Sequence, residues 1–239
     1  MDADQDVALV QESRSIWFIP GAIIAAGVLL AISIYVVRTT IPPSAPKGDI
    51  SYLRPVSDSD HIIGNPTAPV VIIEYADMDS SYTKTFQQTM QQIMAEYAPG
   101  GKVAWVYRHF PLIDQYRNSE QHAEAAECAS ALGTTNTFWT FIDILHARAP
   151  GNQVFNPQNY DSIIESLGVD PARFESCMQA NTYRERVSND ISNAIEIGAY
   201  STPTIVVVIK GQKKPVLISG ALPYDAMKKI IQESIAKTK

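Results

Sequence analysis

Sulfur is scarce in this chain. Its 239 residues hold two cysteines, Cys128 and Cys177, far apart and outside any Cys-x-x-Cys spacing. Paired-thiol exchange requires a thiolate that attacks sulfur, and no motif here supplies one. The four histidines (His61, His109, His122 and His146) fit neither zinc-finger nor H-E-x-x-H spacing, so no metal site is expected. A Gly-rich phosphate loop and a G-x-S-x-G elbow are both missing, which removes nucleotide and hydrolase chemistry. No cofactor is expected. Nineteen Lys and Arg face 25 Asp and Glu, a net charge of −6 with no basic cluster, so nucleic acid is excluded as a partner.

Hydrophobic residues make up 46% of the chain, enough for one ordinary domain with a real core and some extra segments. Residues 16–37, from Ile16 to Val37, carry no charge and are bounded by Arg14 and Arg38. That is about the 20 residues needed to cross a bilayer core. Trp17 and Tyr35 stand at its ends, where aromatic belts form. A cleaved signal peptide fits less well. The apolar run exceeds the usual span of about 7–15 residues, and no A-x-A site follows it. The tail before it is acidic, with Asp2, Asp4, Asp6 and Glu12. A retained single-pass helix is therefore expected. Local charge does not orient it, because Arg14 stands alone on one side and Arg38, Lys47 and Arg54 follow on the other. Residues 38–60, with Pro42, Pro43 and Pro46, read as a stiff linker closed by Asp58-Ser59-Asp60. The folded domain is expected over 61–239.

Within it, hydrophobic runs predict strands at 70–75, 103–107, 204–209 and 215–219. A helix is expected at 81–97, with Phe86, Met90, Ile93 and Met94 on one face and Pro99-Gly100-Gly101 stopping it. Residues 118–197 read as helical in several segments, with Asp170-Pro171 and Asn156-Pro157 as starts. A last amphipathic helix at 224–236 turns Met227, Ile230, Ile231 and Ile235 inward. The order is α/β: a crossover to a parallel neighbour, a helical block, then an antiparallel hairpin and a helix.

Five collinear segments carry a family likeness. They are Gly64-Asn65-Pro66-Thr67-Ala68-Pro69-Val70, Glu74-Tyr75-Ala76-Asp77, Tyr107-Arg108-His109-Phe110-Pro111-Leu112, the stretch from Ala123 to Ala129, and Ser201-Thr202-Pro203-Thr204. Over about residues 60–237 the chain resembles the DsbA-like family of bacterial extracytoplasmic thiol–disulfide oxidoreductases, in its membrane-anchored form. The resemblance implies a thioredoxin-like α/β fold with an inserted helical subdomain at about 118–197, preceded by one N-terminal transmembrane helix. It also implies a cytoplasmic tail at 1–15, a single pass through the bacterial cytoplasmic membrane, and a C-terminal domain outside.

The departure lies at the family's reactive turn. Where relatives have Cys-Pro-Tyr-Cys or Cys-Pro-His-Cys, this chain has Ser80-Ser81-Tyr82-Thr83, and only Tyr82 survives. A hydroxyl cannot replace the thiolate, so no catalytic residue is assigned. Ser80 reads as one of three candidate helix caps, with Asp79 and Ser81, because no base in the sequence would make it a nucleophile. The resemblance further implies a cis Pro203 beside the turn, with Thr202 offering backbone groups to an extended substrate and Tyr82, Met78 and Tyr200 as walls of the groove. Ordinary packing is the other reading of those three side chains. Glu74 and Asp77 are the acidic pair near that turn, and in the folds the chain resembles a carboxylate buried beneath the redox pair handles protons. Here they read as solvated or hydrogen-bonded remnants.

In relatives, cysteines placed like Cys128 and Cys177 form a structural bridge; two separate buried thiols are the alternative. The expected function is a redox-inactive peptide- or protein-binding or chaperone-like module, whose partner is an extended peptide or envelope protein. The alternative is a thiol–disulfide oxidoreductase or isomerase of the protein disulfide-formation system.

Overall fold

The structure, a computed structural model, describes residues 48–134, 136–149, 155–157 and 160–238. The expected membrane-spanning stretch at 16–37 lies outside them. No helix among the described residues is long and apolar enough to cross a membrane.

Among the described residues one sheet forms from β1 (His61–Gly64), β2 (Val70–Ala76), β3 (Val103–His109), β4 (Thr204–Ile209) and β5 (Val216–Ser219), in the order β1-β3-β2-β4-β5. β2 lies parallel to β3 and antiparallel to β4, and β1 and β5 are antiparallel edges. Every residue of β2 and β3 is buried, which is why both read as nearly continuous hydrophobic runs rather than alternating ones. Their side chains still divide by the two-residue period of a strand. Val70 and Ile72 pack under α1 (Ser81–Tyr97) and the last helix, with Phe86, Met90, Ile93, Met227 and Ile231. Val71, Ile73 and Tyr75 pack on the opposite face with Ala194 and Ile197.

Between β3 and β4 lie α2 (Ser119–Leu132), α3 (Thr137–Arg148), α4 (Tyr160–Ser166), α5 (Pro171–Gln179) and α6 (Arg184–Glu196); α7 (Tyr224–Ala236) ends the fold. The helical block expected at 118–197 is thus an insertion into a strand–helix–strand, strand–strand–helix frame. Asp170 caps α5 by accepting from the Arg173 N–H at 2.8 Å, with Pro171 in the first turn. Its own core gathers Phe138, Phe141, Ile142, Leu145, Ile163 and Phe174.

β1 was not among the expected strands. Four half-buried or exposed residues at a sheet edge carry too little period-two signal to be read from sequence. The segment expected to act as a spacer also differs from its reading. From Gly48 onward it is fastened to the domain: Asp49 N–H donates to the Glu196 carbonyl at 2.8 Å, and a side chain on Gly48 would collide with the backbone of Gly198. Arg108 in β3 completes the attachment. It is wholly buried and donates to both Asp60 carboxylate oxygens, to the carbonyls of Arg54 and Pro55, and to the Tyr75 hydroxyl. A buried guanidinium needs that many acceptors to offset its lost hydration.

Cys128 in α2 and Cys177 in α5 form a disulfide with Cα atoms 6.0 Å apart, closing 49 residues of sequence separation. Neither cysteine is left free. In the chain-entropy model a loop of that length is worth about 4 kcal/mol. Reduction without denaturant should therefore lower the thermal midpoint by roughly 5–15 °C, measured by circular dichroism. An unchanged midpoint after confirmed reduction would show that the bridge holds nothing together.

Candidate functional site

The register of the central strands sets the site. Tyr75 lies opposite Thr204, so the turn that leaves β2 and the loop that enters β4 emerge side by side. The turn runs into α1, and Ser80 is its cap: the Thr83 N–H donates to Ser80 Oγ at 3.4 Å. The Ser80 hydroxyl in turn donates to the Thr202 carbonyl at 3.4 Å. The Thr202–Pro203 peptide bond is cis. Ser80, Thr83, Thr202 and Pro203 are all buried, and the Thr83 and Thr202 hydroxyls have no partner among the described residues. The structure thus brings together three hydroxyl side chains and the proline loop, with no sulfur among them.

Ser81 is half-buried, whereas Tyr82 and Tyr200 project outward, 67% and 75% exposed. Met78, read as a possible groove wall, is instead packed in the core of the helical insertion with Tyr107 and Phe141, because the turn folds inward at that point. Cys128 and Cys177 belong to the helical insertion and to its bridge.

Polar groups beneath the turn are densely paired. Asp77 accepts from the Asp79 and Leu112 N–H groups at 2.8 and 2.7 Å. Asp79 lies 2.8 Å from His122 Nδ1. His146 Nε2 sits 3.0 Å from the Met78 carbonyl, which can only accept, so the proton is on Nε2. Burial lowers the His146 pKa to about 4 and raises that of Asp77 to about 6, the latter opposed by its two backbone hydrogen bonds. Sequence spacing could not reveal these contacts, since residues 77–79, 112, 122 and 146 come from separate elements.

Glu74 is not solvated. Burial raises its pKa to about 8, only partly opposed by the Trp105 indole N–H donating to Oε2 at 2.9 Å. Its other oxygen has no partner among the described residues. It is a neutral carboxylic acid at pH 7. A second cluster was equally invisible in the sequence. His61 Nε2 and His109 Nε2 each lie 2.8 Å from Glu127 Oε1. Burial pushes the Glu127 pKa up, but the His109 and His61 hydrogen bonds prevail and hold it well below the usual carboxylate range.

A parallel β2–β3 pair joined by α1, an antiparallel β4–β5 hairpin capped by α7, and a cis-proline loop against the first helix's N-terminus define a thioredoxin fold with a helical insertion. The chain belongs to the thioredoxin family, whose model matches residues 57–233. Its fold is that of DsbA proteins. The Wolbachia pipientis α-DsbA1 structure superposes with a TM-score of 0.67 at 20% identity, covering 79% of this chain and 97% of that one. Bacillus subtilis BdbD gives 0.66 at 20% identity, covering 81% and 100%. Pseudomonas aeruginosa DsbA2 gives 0.63 at 24%, covering 74% and 96%. The chain also matches part of larger curated proteins. It is 30% identical over 164 residues to the Na(+)/H(+) antiporter NhaA 3 of Salinispora tropica, 68% of this chain and 24% of that protein. A Mycobacterium NhaA 1 matches over 88% of this chain and 34% of its own length at 28% identity. The chain spans only about a quarter to a third of the curated relatives it matches.

Protonated Glu74 generates a pH prediction with a definite sign. An acid whose pKa rises on folding adds stability that is complete below pH 4.5 and is lost as pH climbs through about 8. Unfolding free energy should fall by about 1.4 kcal/mol between pH 7 and 9, and Glu74→Gln should flatten that slope. Urea titrations of both proteins at the two pH values measure it. Equal slopes would mean that Glu74 is ionised in the folded state.

Proposed function

We propose that this protein is a membrane-anchored, extracytoplasmic DsbA-like domain that has left thiol chemistry and binds extended peptide or protein segments. The observation that carries the reading is the Ser80–Thr202 contact. A buried hydroxyl fills the position at the helix N-terminus where exchange requires an activated thiolate, and Thr83 stands at the second position. The cysteines the chain does have are committed to each other in the helical insertion. Residues 16–37 supply the anchor, and what supports it is their uncharged length rather than the partial likeness to Na(+)/H(+) antiporters. Antiport itself is not part of the reading, because the chain covers only a fraction of those proteins.

The binding half rests on what the site retains without sulfur. Main-chain groups around Thr202-Pro203 recognise extended backbone in the manner of strand addition, and two exposed rings belong to the adjoining segments, Tyr200 two residues before Thr202 and Tyr82 two residues after Ser80. Exposed tyrosines give contact area at low entropy cost, and a partner would cover them.

The full-length chain should neither oxidise a reduced protein nor accelerate insulin reduction above background. The S80C/T83C double variant should gain exchange activity, because it restores Cys-x-x-Cys at a helix N-terminus. In the same preparation the wild type should suppress aggregation of a reduced, unfolded model protein, and Tyr82→Ala should weaken that effect several-fold. Turnover by the wild type would return the protein to the oxidoreductases. Silence combined with no effect on aggregation would remove the binding role.

A further inference from the structure

One polar cluster lies outside the turn and the peptide edge. β1 and β3 are antiparallel with His61 opposite Tyr107. His109, two residues further along β3, therefore shares the face of His61 and sits diagonally from it. α2 lays Glu127 over both rings, with Oε1 2.8 Å from each Nε2. The three potential ligand atoms all lie within 4.8 Å of one another. His109 and Glu127 are buried, while 14% of the His61 side chain remains exposed, so solvent reaches one side of the cluster. The His61 ring stacks on Phe138 with centroids 3.4 Å apart, which fixes its plane.

We propose that His61, His109 and Glu127 form a binding site for a divalent transition-metal ion of the zinc class, with solvent as the fourth ligand. Two imidazole nitrogens and one carboxylate oxygen suit such an ion, whereas calcium and magnesium call for oxygen sets. Ligand bonds of about 2.0–2.2 Å in tetrahedral array set the donor atoms roughly 3.4 Å apart. The two short contacts to Glu127 must therefore open by roughly half an ångström, a side-chain adjustment. Each imidazole must present its Nε2 lone pair and carry its proton on Nδ1, which leaves the ring neutral. His109 Nδ1 has no partner among the described residues and can take that proton.

A competing cation stands at the rim. Arg186 Nε lies 2.8 Å from Glu127 Oε1, but its N–H is not aligned to form a hydrogen bond. The Arg186 side chain is 29% exposed and also donates to the Ser59 carbonyl at the surface. It can turn outward when a metal takes its place. The other two histidines are held elsewhere, His122 by Asp79 and His146 by the Met78 carbonyl. Metal at this site would clamp the β1 edge and the end of β3 to the helical insertion.

Titration of the purified full-length chain with zinc chloride, followed by calorimetry and thermal melting, tests the site. One equivalent should bind and raise the melting temperature, since the site exists only in the folded chain. Cobalt(II) should give the visible bands of four-coordinate metal. His61→Gln and Glu127→Gln should each weaken zinc binding at least about tenfold, and Arg186→Gln should tighten it. His61 is partly exposed at an edge strand, so its variant keeps the test valid if a buried substitution impairs folding. The absence of one-to-one binding overturns the proposal. Zinc binding of wild-type strength in His61→Gln and Glu127→Gln does so too, because it marks adventitious sites elsewhere.

Discussion

The fold hangs on one strand that has no free side. β2 is bonded along both edges, to β3 in parallel and to β4 in antiparallel register, and covered on both faces. Its position is over-determined, so the turn after it has nowhere else to go. With Tyr75 opposite Thr204, the residues that follow β2 and those that precede β4 must meet. The Ser80–Thr202 contact is the local outcome of that pairing rather than of any strong bond of its own, since its hydrogen bonds are long at 3.4 Å. A scaffold positioned from its core outward can lose sulfur at positions 80 and 83 and keep its shape.

The same logic explains why polar side chains stay buried beneath the turn. Asp77 accepts from two backbone N–H groups and Asp79 pairs with His122 Nδ1 whether or not a thiolate sits above, while His122 Nε2 has no partner among the described residues. Removing one member would leave its partners unpaired in a dry environment, at greater cost than keeping the set. Glu74 differs. With one oxygen unpartnered it stays neutral, and its retention is a cost the core tolerates. In the helical insertion a covalent tie between α2 and α5 supplements a core assembled from short helices.

Much of the frame was legible in the chain itself. The runs at 70–75 and 204–209, the helix at 81–97 with its Pro-Gly-Gly stop, and the hairpin near 210–214 announce themselves through periodicity and turn residues, and their boundaries shift by at most two residues. Family likeness supplied what periodicity cannot: the insertion, the proline loop and the pairing of Cys128 with Cys177. Three features stayed hidden for one physical reason, that each is made by residues distant in sequence. β1 is defined by its neighbour β3 rather than by its own pattern. The segment from Gly48 to Asp60 reads as proline-led linker, yet Arg108 and Glu196 hold it. His61, His109 and Glu127 meet only because an edge strand, a central strand and a helix converge.

The central claim is that no sulfur of this protein takes part in exchange, and trapping tests it most directly. Cells expressing the full chain would be acid-quenched, alkylated and analysed by intact mass after purification without reductant. The account predicts no alkylated cysteine, a Cys128–Cys177 link, and no mixed disulfide with any partner. A disulfide-linked adduct at either cysteine, reversible by reductant, would contradict it and identify the partner of an active oxidoreductase.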